Sequence, residues 1–285
     1  AAIEALRGAL PAAAVDLLLV AFCRTLIDRA NVSFGHQSMS FRRVAAGGAE
    51  ARSAAGSAVA ESWRRSVDRV HEDAASPVLR PPRPLLCDAR RLTAALPPGR
   101  YSCVITSPPY PNRMSYIREL RPYMYWLGYL RDGRAAGELD WQAIGGTWGC
   151  ATSNVARWEA PPGAPVPYPG FEALLRRIAE QGAQSGPLLA RYVHKYFHDI
   201  EAHCASLFEV TRPGATIHYV VGNSKFYDVL LPVEEIFAAL FEHAGFRGAR
   251  VRAIRKRTSK KELFEFVVSA TRPAPPGAAP GAPPL

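Results

Sequence analysis

The stretch Thr106-Ser107-Pro108-Pro109-Tyr110 puts a hydroxyl and an aromatic ring at the two ends of a stiff turn. It follows a short apolar run, Tyr101 to Ile105, that reads as a buried strand. Two prolines after a strand end the ladder and stiffen the chain, because neither can donate a backbone N–H. In an open α/β sheet the carboxyl edge of the strands is where ligands bind. The plain alternative is a loop without a role, since Pro81-Pro82, Pro97-Pro98, Pro161-Pro162, Pro275-Pro276 and Pro283-Pro284 repeat the pair. The elements around the stretch weigh against that.

The shelf resembles the catalytic motif of the DNA amino-methyltransferases, and its Ser-Pro-Pro-Tyr spelling is most similar to the cytosine-N4 branch. Adenine-N6 enzymes more often carry Asp in the first position. The resemblance implies chemistry that suits these residue types. An exocyclic base amine is a poor nucleophile because its lone pair is delocalised into the ring. A site that accepts both amine hydrogens turns that lone pair toward the methyl group of S-adenosylmethionine. By the resemblance the Ser107 hydroxyl and the Pro108 carbonyl are the acceptors, Pro109 completes the turn, and Tyr110 stacks on the base. The base must leave the duplex, at a cost of a few kcal/mol, and stacking returns ~1–3 kcal/mol. No covalent intermediate is needed, so Cys103 reads as a small core residue.

Upstream, Pro84-Leu-Leu-Cys-Asp88 reads as a short strand ending in an acid, with a helical turn after it. The resemblance makes Asp88 an acceptor for the cofactor's adenine, with Thr106 and Asn223 also on the cofactor side. As a residue type, Asp88 is equally an N-cap for the turn that follows. Downstream, Arg212 to Ser224 looks like the family's fifth strand: a Pro213-Gly214 turn, a strand over 216–221, then Gly222-Asn223-Ser224 closing over the site. Val233, Ile236, Phe237, Leu240 and Phe241 recur at helical spacing and stop at Gly245. Residues 246–254 and 263–270 read as a closing antiparallel pair. Between them, Arg255, Arg257, Lys260 and Lys261 are candidate contacts to DNA phosphates, with a solvated hairpin as the bland alternative. The resemblance runs from about residue 84 to 273.

One signature is absent. The family holds the methionine end of its cofactor on a glycine-rich loop after the first strand, where only glycine admits such close approach. Gly8, Gly35, Gly47-Gly48 and Gly56 are the only glycines before Asp88, and none follows a strand-like run. Gly145-Gly146 and Gly149 lie in a Trp-containing loop. The chain also begins Ala1-Ala2-Ile3. The expectation is a longer protein with two strands and the glycine loop upstream. The alternatives are a split enzyme completed by another polypeptide, and a relative that binds DNA without reacting.

With 285 residues, 48% of them hydrophobic, the chain can bury a substantial α/β core. No apolar run spans a membrane, and no secretory signal architecture is present. Five cysteines without paired spacing point to reduced thiols and a cytoplasmic setting. No Cys or His set has zinc spacing, so no metal is expected. A net charge of +10 suits a nucleic-acid partner. The excess of arginine over lysine also fits a GC-rich genome, so local placement says more.

Residues 11–30 read as an apolar helix with Val15, Leu18, Leu19, Phe22 and Leu26 on one side. A polar loop with His36, Gln37 and Ser40 follows, then a mostly exposed helix over 50–72 that sets Trp63 and Val67 inward. The segment 111–187 is far longer than a crossover needs. It opens with an aromatic helix and continues through Gly-, Pro- and Trp-rich coil. Loops this long are usually functional, and 131–186 is expected to form a target-recognition element, with Arg134, Arg157, Arg176 or Arg177 touching DNA. In a helix near 188–210, core positions are Leu189, Tyr192, Val193, Tyr196, Phe197, Ile200, Cys204 and Leu207, and His194 and His198 make a surface pair.

These readings describe an α/β protein with a Rossmann-like sheet of the S-adenosylmethionine-dependent methyltransferase kind, incomplete on its N-terminal side. Residues 1–80 form a mainly helical segment, 81–273 the catalytic domain, and 274–285 a disordered tail. The activity implied is transfer of a methyl group to cytosine N4 in double-stranded DNA, with a restriction endonuclease or an upstream cofactor-binding half as partner. Adenine N6, an RNA base amine, or a DNA-binding subunit without its own cofactor pocket are the alternatives.

Overall fold

The computed structural model describes residues 8–29, 32–33, 40–41, 49–76, 80–112, 115–163, 165–257 and 262–274, together with Ala5. His36, Gln37, Lys260, Lys261 and the tail from 275 onward lie outside the described residues. Two compact units divide the chain: residues 1–83 with 117–136, and residues 84–116 with 137–285.

The first unit pairs two helices, α1 (Ala12–Arg29) and α2 (Ala49–Ala74), with a short ribbon between them, β1 (Val32–Ser33) and β2 (Ser40–Phe41). Val15, Ala21 and Thr25 of α1 are buried, while Leu18, Leu19, Phe22 and Leu26 are half-buried. In α2, Ser62 and Val70 are buried, and Trp63 and Val67 are half-buried. The Ser62 hydroxyl donates to Asp28 across the pair.

The second unit is a mixed α/β layer. A 3-10 turn (Ala89–Ala94) precedes β3 (Tyr101–Thr106). Five helices follow: α3 (Tyr116–Trp126), α4 (Gly133–Gln142), α5 (Cys150–Arg157), α6 (Phe171–Gln181) and α7 (Gly186–Val210), of which α3 and the start of α4 belong to the first unit. Then come β4 (Thr211–Gly222), a hairpin of β5 (Ser224–Phe226) and β6 (Val229–Leu231), α8 (Val233–His243), β7 (Arg247–Lys256) and β8 (Phe264–Thr271). The four-stranded sheet has the order β3-β4-β8-β7. β3 runs parallel to β4, and β8 is antiparallel to both β4 and β7.

Period-two burial explains β4. Ala215, Ile217, Tyr219 and Val221 point into the core, where Val268 and Ala270 of β8 join them. Against that face pack α7 and α8, whose apolar stripes are fully buried from Leu189 to Leu207 and from Val233 to Phe241. The core positions read from periodicity in both helices are all buried.

Several expectations differ from what folds. β3 is not a buried strand: it stands at the edge of the described sheet, and Cys103, expected in the core, is exposed along with Ile105. Residues 84–88 are not a strand: the segment has no ladder partner among the described residues, and Leu86 is fully exposed. The long insertion is not coil but mostly short helices. It is locked in part by Asp140, whose buried carboxylate accepts from the Ser115 hydroxyl and the Trp148 N–H. Gly146 packs against the Asp140 carbonyl so closely that any side chain there would collide.

Candidate active site

At its carboxyl end β3 delivers the shelf 107–110 next to the end of β4. The shelf is fixed from below. The fully buried Tyr196 of α7 donates its hydroxyl to the Pro109 carbonyl at 2.6 Å. Tyr110 is half-buried, and its ring lies against Gly222 so tightly that a Cβ there would sit 2.9 Å from Cε2. Burial raises the Tyr110 phenol above the ordinary tyrosine range, and the Glu265 carboxylate adds to this. A hydrogen bond with Ser107 and the Arg257 charge act the other way. The phenol therefore stays neutral.

Arg257 closes one side. Its guanidinium lies over the Tyr110 ring, 5.7 Å from the centroid, and donates to the Asn223 carbonyl at 3.1 Å. Asn223 is only 3% exposed. Its Nδ2 donates to the Glu262 carbonyl at 3.0 Å, and its Oδ1 accepts from the Phe264 N–H at 2.9 Å. Both ends of this amide thus tie the end of β4 to the β7–β8 hairpin. Arg255 is paired with Glu265 at 2.6 Å on the hairpin's exposed side.

Asp88 combines two roles. Its Oδ1 accepts from the Arg90 N–H at 3.0 Å, capping the 3-10 turn, and its carboxylate grips the Arg90 guanidinium at 3.0 Å. The hydrogen bonds from Arg90, chiefly from its side chain, hold the Asp88 carboxyl below the ordinary carboxylate range, against the opposing pull of burial. Arg90 continues to Asp199 at 3.1 Å, and Asp199 to Lys195 at 2.6 Å, with the Lys195 ammonium 4.6 Å from the Trp141 ring centre.

His203 belongs to no motif and lies on the helix face away from His194 and His198, yet it sits in the middle of this support. Its Nδ1 meets the Ala89 carbonyl and its Nε2 the Tyr219 hydroxyl, each at 2.7 Å. Burial lowers its pKa, so the ring is neutral: Nδ1–H donates to Ala89, and Nε2 accepts from Tyr219. Three residues on, the Ser206 Oγ accepts from the Leu92 N–H at 2.7 Å. Tyr196, Asp199, His203 and Ser206 follow helical spacing on one face of α7. That face holds the shelf at one point and the acid-bearing turn at three. The signal was a set of polar side chains recurring with period 3.6 along one face of the helix.

His194 and His198 are not a surface pair. Both rings pack edge-on against Trp158, and His194 also against Phe171. Among the described residues no cluster of three or more His, Cys, Asp or Glu could hold a metal. Arg176 and Arg177 lie exposed on α6, opposite its buried Phe171, Leu175 and Ile178, and Arg157 is exposed on α5. No described helix is long and apolar enough to cross a membrane.

No protein-family model matches the chain, and no curated protein does. Among solved structures it is similar to TTHA0409 from Thermus thermophilus, described as a "Putative DNA Modification Methylase". In the form complexed with S-adenosyl-L-methionine the match has 15% identity, covers 68% of this chain and 56% of that one, and has a TM-score of 0.35. A second structure of that protein gives 14% identity, 69% and 56% coverage, and a TM-score of 0.34. The chain thus spans about half the length of the structures it matches. So distant a likeness identifies no family.

Proposed function

We propose that this chain carries the target-base half of an S-adenosylmethionine-dependent DNA methyltransferase, acting on the N4 amine of a flipped cytosine. The observation that carries the reading is the shelf itself. A Ser-Pro-Pro-Tyr turn stands at the carboxyl end of a parallel strand, pinned by Tyr196 and faced by the close-packed Gly222. The Ser107 Oγ and the Pro108 carbonyl accept the two amine hydrogens, which leaves the lone pair directed out of the ring plane. Tyr110 stacks on the base, and its neutral phenol steadies the Ser107 hydroxyl.

For S-adenosylmethionine the fit is partial. Asp88 is an acid suited to the adenosine end, although Arg90 already occupies part of its carboxylate. Among the described residues no glycine-rich strand-to-helix loop exists to cradle the methionine end. Thr106 ends β3 beside the shelf, whereas the Asn223 amide is committed to the hairpin. β3 is an edge strand, and its Ile105 is 76% exposed. A strand-bearing segment with the missing cradle would add at this edge.

The same open edge favours a second reading, a DNA-binding subunit with no transfer activity of its own. Binding of S-adenosylmethionine by this chain alone separates the two. The deciding assay is mass spectrometry of nucleosides from DNA incubated with the protein and isotope-labelled S-adenosylmethionine. Labelled N4-methylcytosine is expected once a segment bearing the glycine-rich cradle is supplied with the chain. Labelled N6-methyladenine would move the target to adenine, and no label even with cofactor bound would overturn the enzymatic reading.

A further inference from the structure

Next to the shelf is a pocket of about 220 Å3 that none of the roles above uses. It is smaller than the ~300–1,000 Å3 pockets that enclose drug-sized ligands, a size suited to one heterocycle rather than a whole cofactor. Leu189, Phe226 and Leu263 give it apolar walls. Arg257 lines it too, and the same guanidinium covers the Tyr110 ring, while Tyr110 itself does not line the pocket. Arg257 is therefore shared by two adjoining compartments.

Two features mark the pocket as built for a ligand. Ser224 is 4% exposed, and its Oγ is buried without any hydrogen-bond partner. A buried hydroxyl left unsatisfied is costly and calls for an explanation, and a ligand that donates or accepts there supplies one. The second feature is Tyr227, which heads the two-residue turn of the β5–β6 hairpin with φ +52°. A bulky residue in that region is strained, and glycine is the usual occupant. The ring is held there by packing on Gly182 and by donating to its carbonyl at 3.2 Å. Such strain gathers at ligand clamps, where the surrounding structure enforces it. Tyr227 remains 44% exposed, so part of its aromatic surface stays open at the pocket wall.

The lining narrows the ligand. Lys225 also lines the pocket, but its ammonium is neutralised by Glu262 at 2.8 Å and Asp228 at 3.7 Å. That leaves the Arg257 guanidinium as the cation facing the pocket, and the phosphate control below measures what its charge alone contributes. A neutral planar ring with polar edges fits better: it stacks on an aromatic face, meets the Ser224 hydroxyl at its edge, and lies beside a guanidinium plane. That is how proteins hold splayed nucleobases.

We propose that this pocket receives the base next to the methylated one, with Arg257 standing between the two, so that it reads one position of the recognition sequence. The proposal rests on the reading of the shelf as the target-base site. It makes Ser224 and Tyr227 specificity residues, distinct from the shelf that presents the amine.

The test follows backbone amides of the isotope-labelled chain by NMR while each of the four deoxynucleoside 5′-monophosphates is added, with inorganic phosphate as a control. Shifts at 224–227 are expected, stronger for some bases than for others. Ser224→Ala, which removes the hydroxyl at nearly constant volume, should weaken them about tenfold, the effect of losing one hydrogen bond in a filled pocket. Ser224→Val, which also adds bulk, should weaken them at least as much, and both variants must retain the parent spectrum elsewhere. Shifts confined to 107–110 would uphold the shelf and overturn the pocket. Shifts at 224–227 without any at the shelf would keep the pocket as a base site and sink the reading of the shelf. Equal shifts with inorganic phosphate, or no shifts at all, would overturn the proposal.

Discussion

Tyr196 and Pro109 are 87 residues apart in sequence and joined by a 2.6 Å hydrogen bond at the foot of the shelf. Proline removes backbone donors from this turn, so the turn cannot hold itself by ladder bonds. A buried phenol from α7 does so instead. Burial pushes the Tyr196 phenol well above its ordinary range, so it remains a donor at every pH the fold tolerates. The shelf is thereby built on a helix that is itself immobilised in the core.

Tyr196→Phe should keep the fold and loosen the shelf. The ring still fills its place, but the Pro109 carbonyl loses its partner, at a cost of roughly 1–3 kcal/mol if it stays dry. Denaturant melts should show a loss of that order. On the proposed reading, methyl transfer should fall by more than the loss of folded protein explains. Unchanged transfer would mean that the shelf does not need this anchor.

Replacing Ser107 with Ala removes one of the two acceptors proposed for the amine. Losing one pre-aligned hydrogen bond at a reacting centre typically costs on the order of 10²-fold in turnover. Affinity for S-adenosylmethionine, measured by calorimetry, should stay nearly unchanged because Ser107 is proposed to act on the base. Equal losses in binding and turnover would place Ser107 on the cofactor instead.

What the sequence made legible follows from periodicity. The stripes of α7 and α8 and the alternation of β4 are each a local pattern with one strong apolar face, and each was placed within a few residues. The shelf was legible for a related reason: two prolines at a strand end leave few local conformations. The segment 84–88 misled because its apolar letters resemble a strand, whereas a strand also needs a neighbour to pair with. The supporting contacts were illegible. Arg90 to Asp199 and His203 to Ala89 span 109 and 114 positions, and nothing local to either end announces the other. His203 looked ordinary because a neutral histidine in a polar stripe carries no spacing motif.

Gly222→Ala tests the close approach at the site's floor. The new methyl would sit 2.9 Å from the Tyr110 ring and 3.1 Å from Arg257 Nη1, so both must shift. Arg257 is the end of a flexible chain, but Tyr110 is set by the shelf. The variant should fold, since Gly222 lies at the end of β4 beyond its core-facing alternation, and it should bind DNA containing the target base less tightly. Tyr110→Ala in the same background should add little further loss, because the two changes act on one ring. Fully additive losses would show that Gly222 serves something other than the placement of Tyr110.

The neutral His203 makes stability depend on pH. Its folded pKa lies below the ordinary 6.5 because of burial, so the unfolded chain takes up a proton first as the pH falls. Stability is therefore complete above about 6.5 and is lost as the pH drops from there toward the folded value. His194 is shifted the same way by burial and contributes in the same window. Asp88, held below its ordinary 3.8, adds a separate loss only in stronger acid. Urea unfolding at pH 7.5 and 5.5 should show the drop, and His203→Gln should reduce the difference between the two while lowering stability at both. His194→Gln isolates the other histidine. A pH difference that survives in His203→Gln and vanishes in His194→Gln would take His203 out of the account and leave its two hydrogen bonds as purely geometric supports of the 3-10 turn.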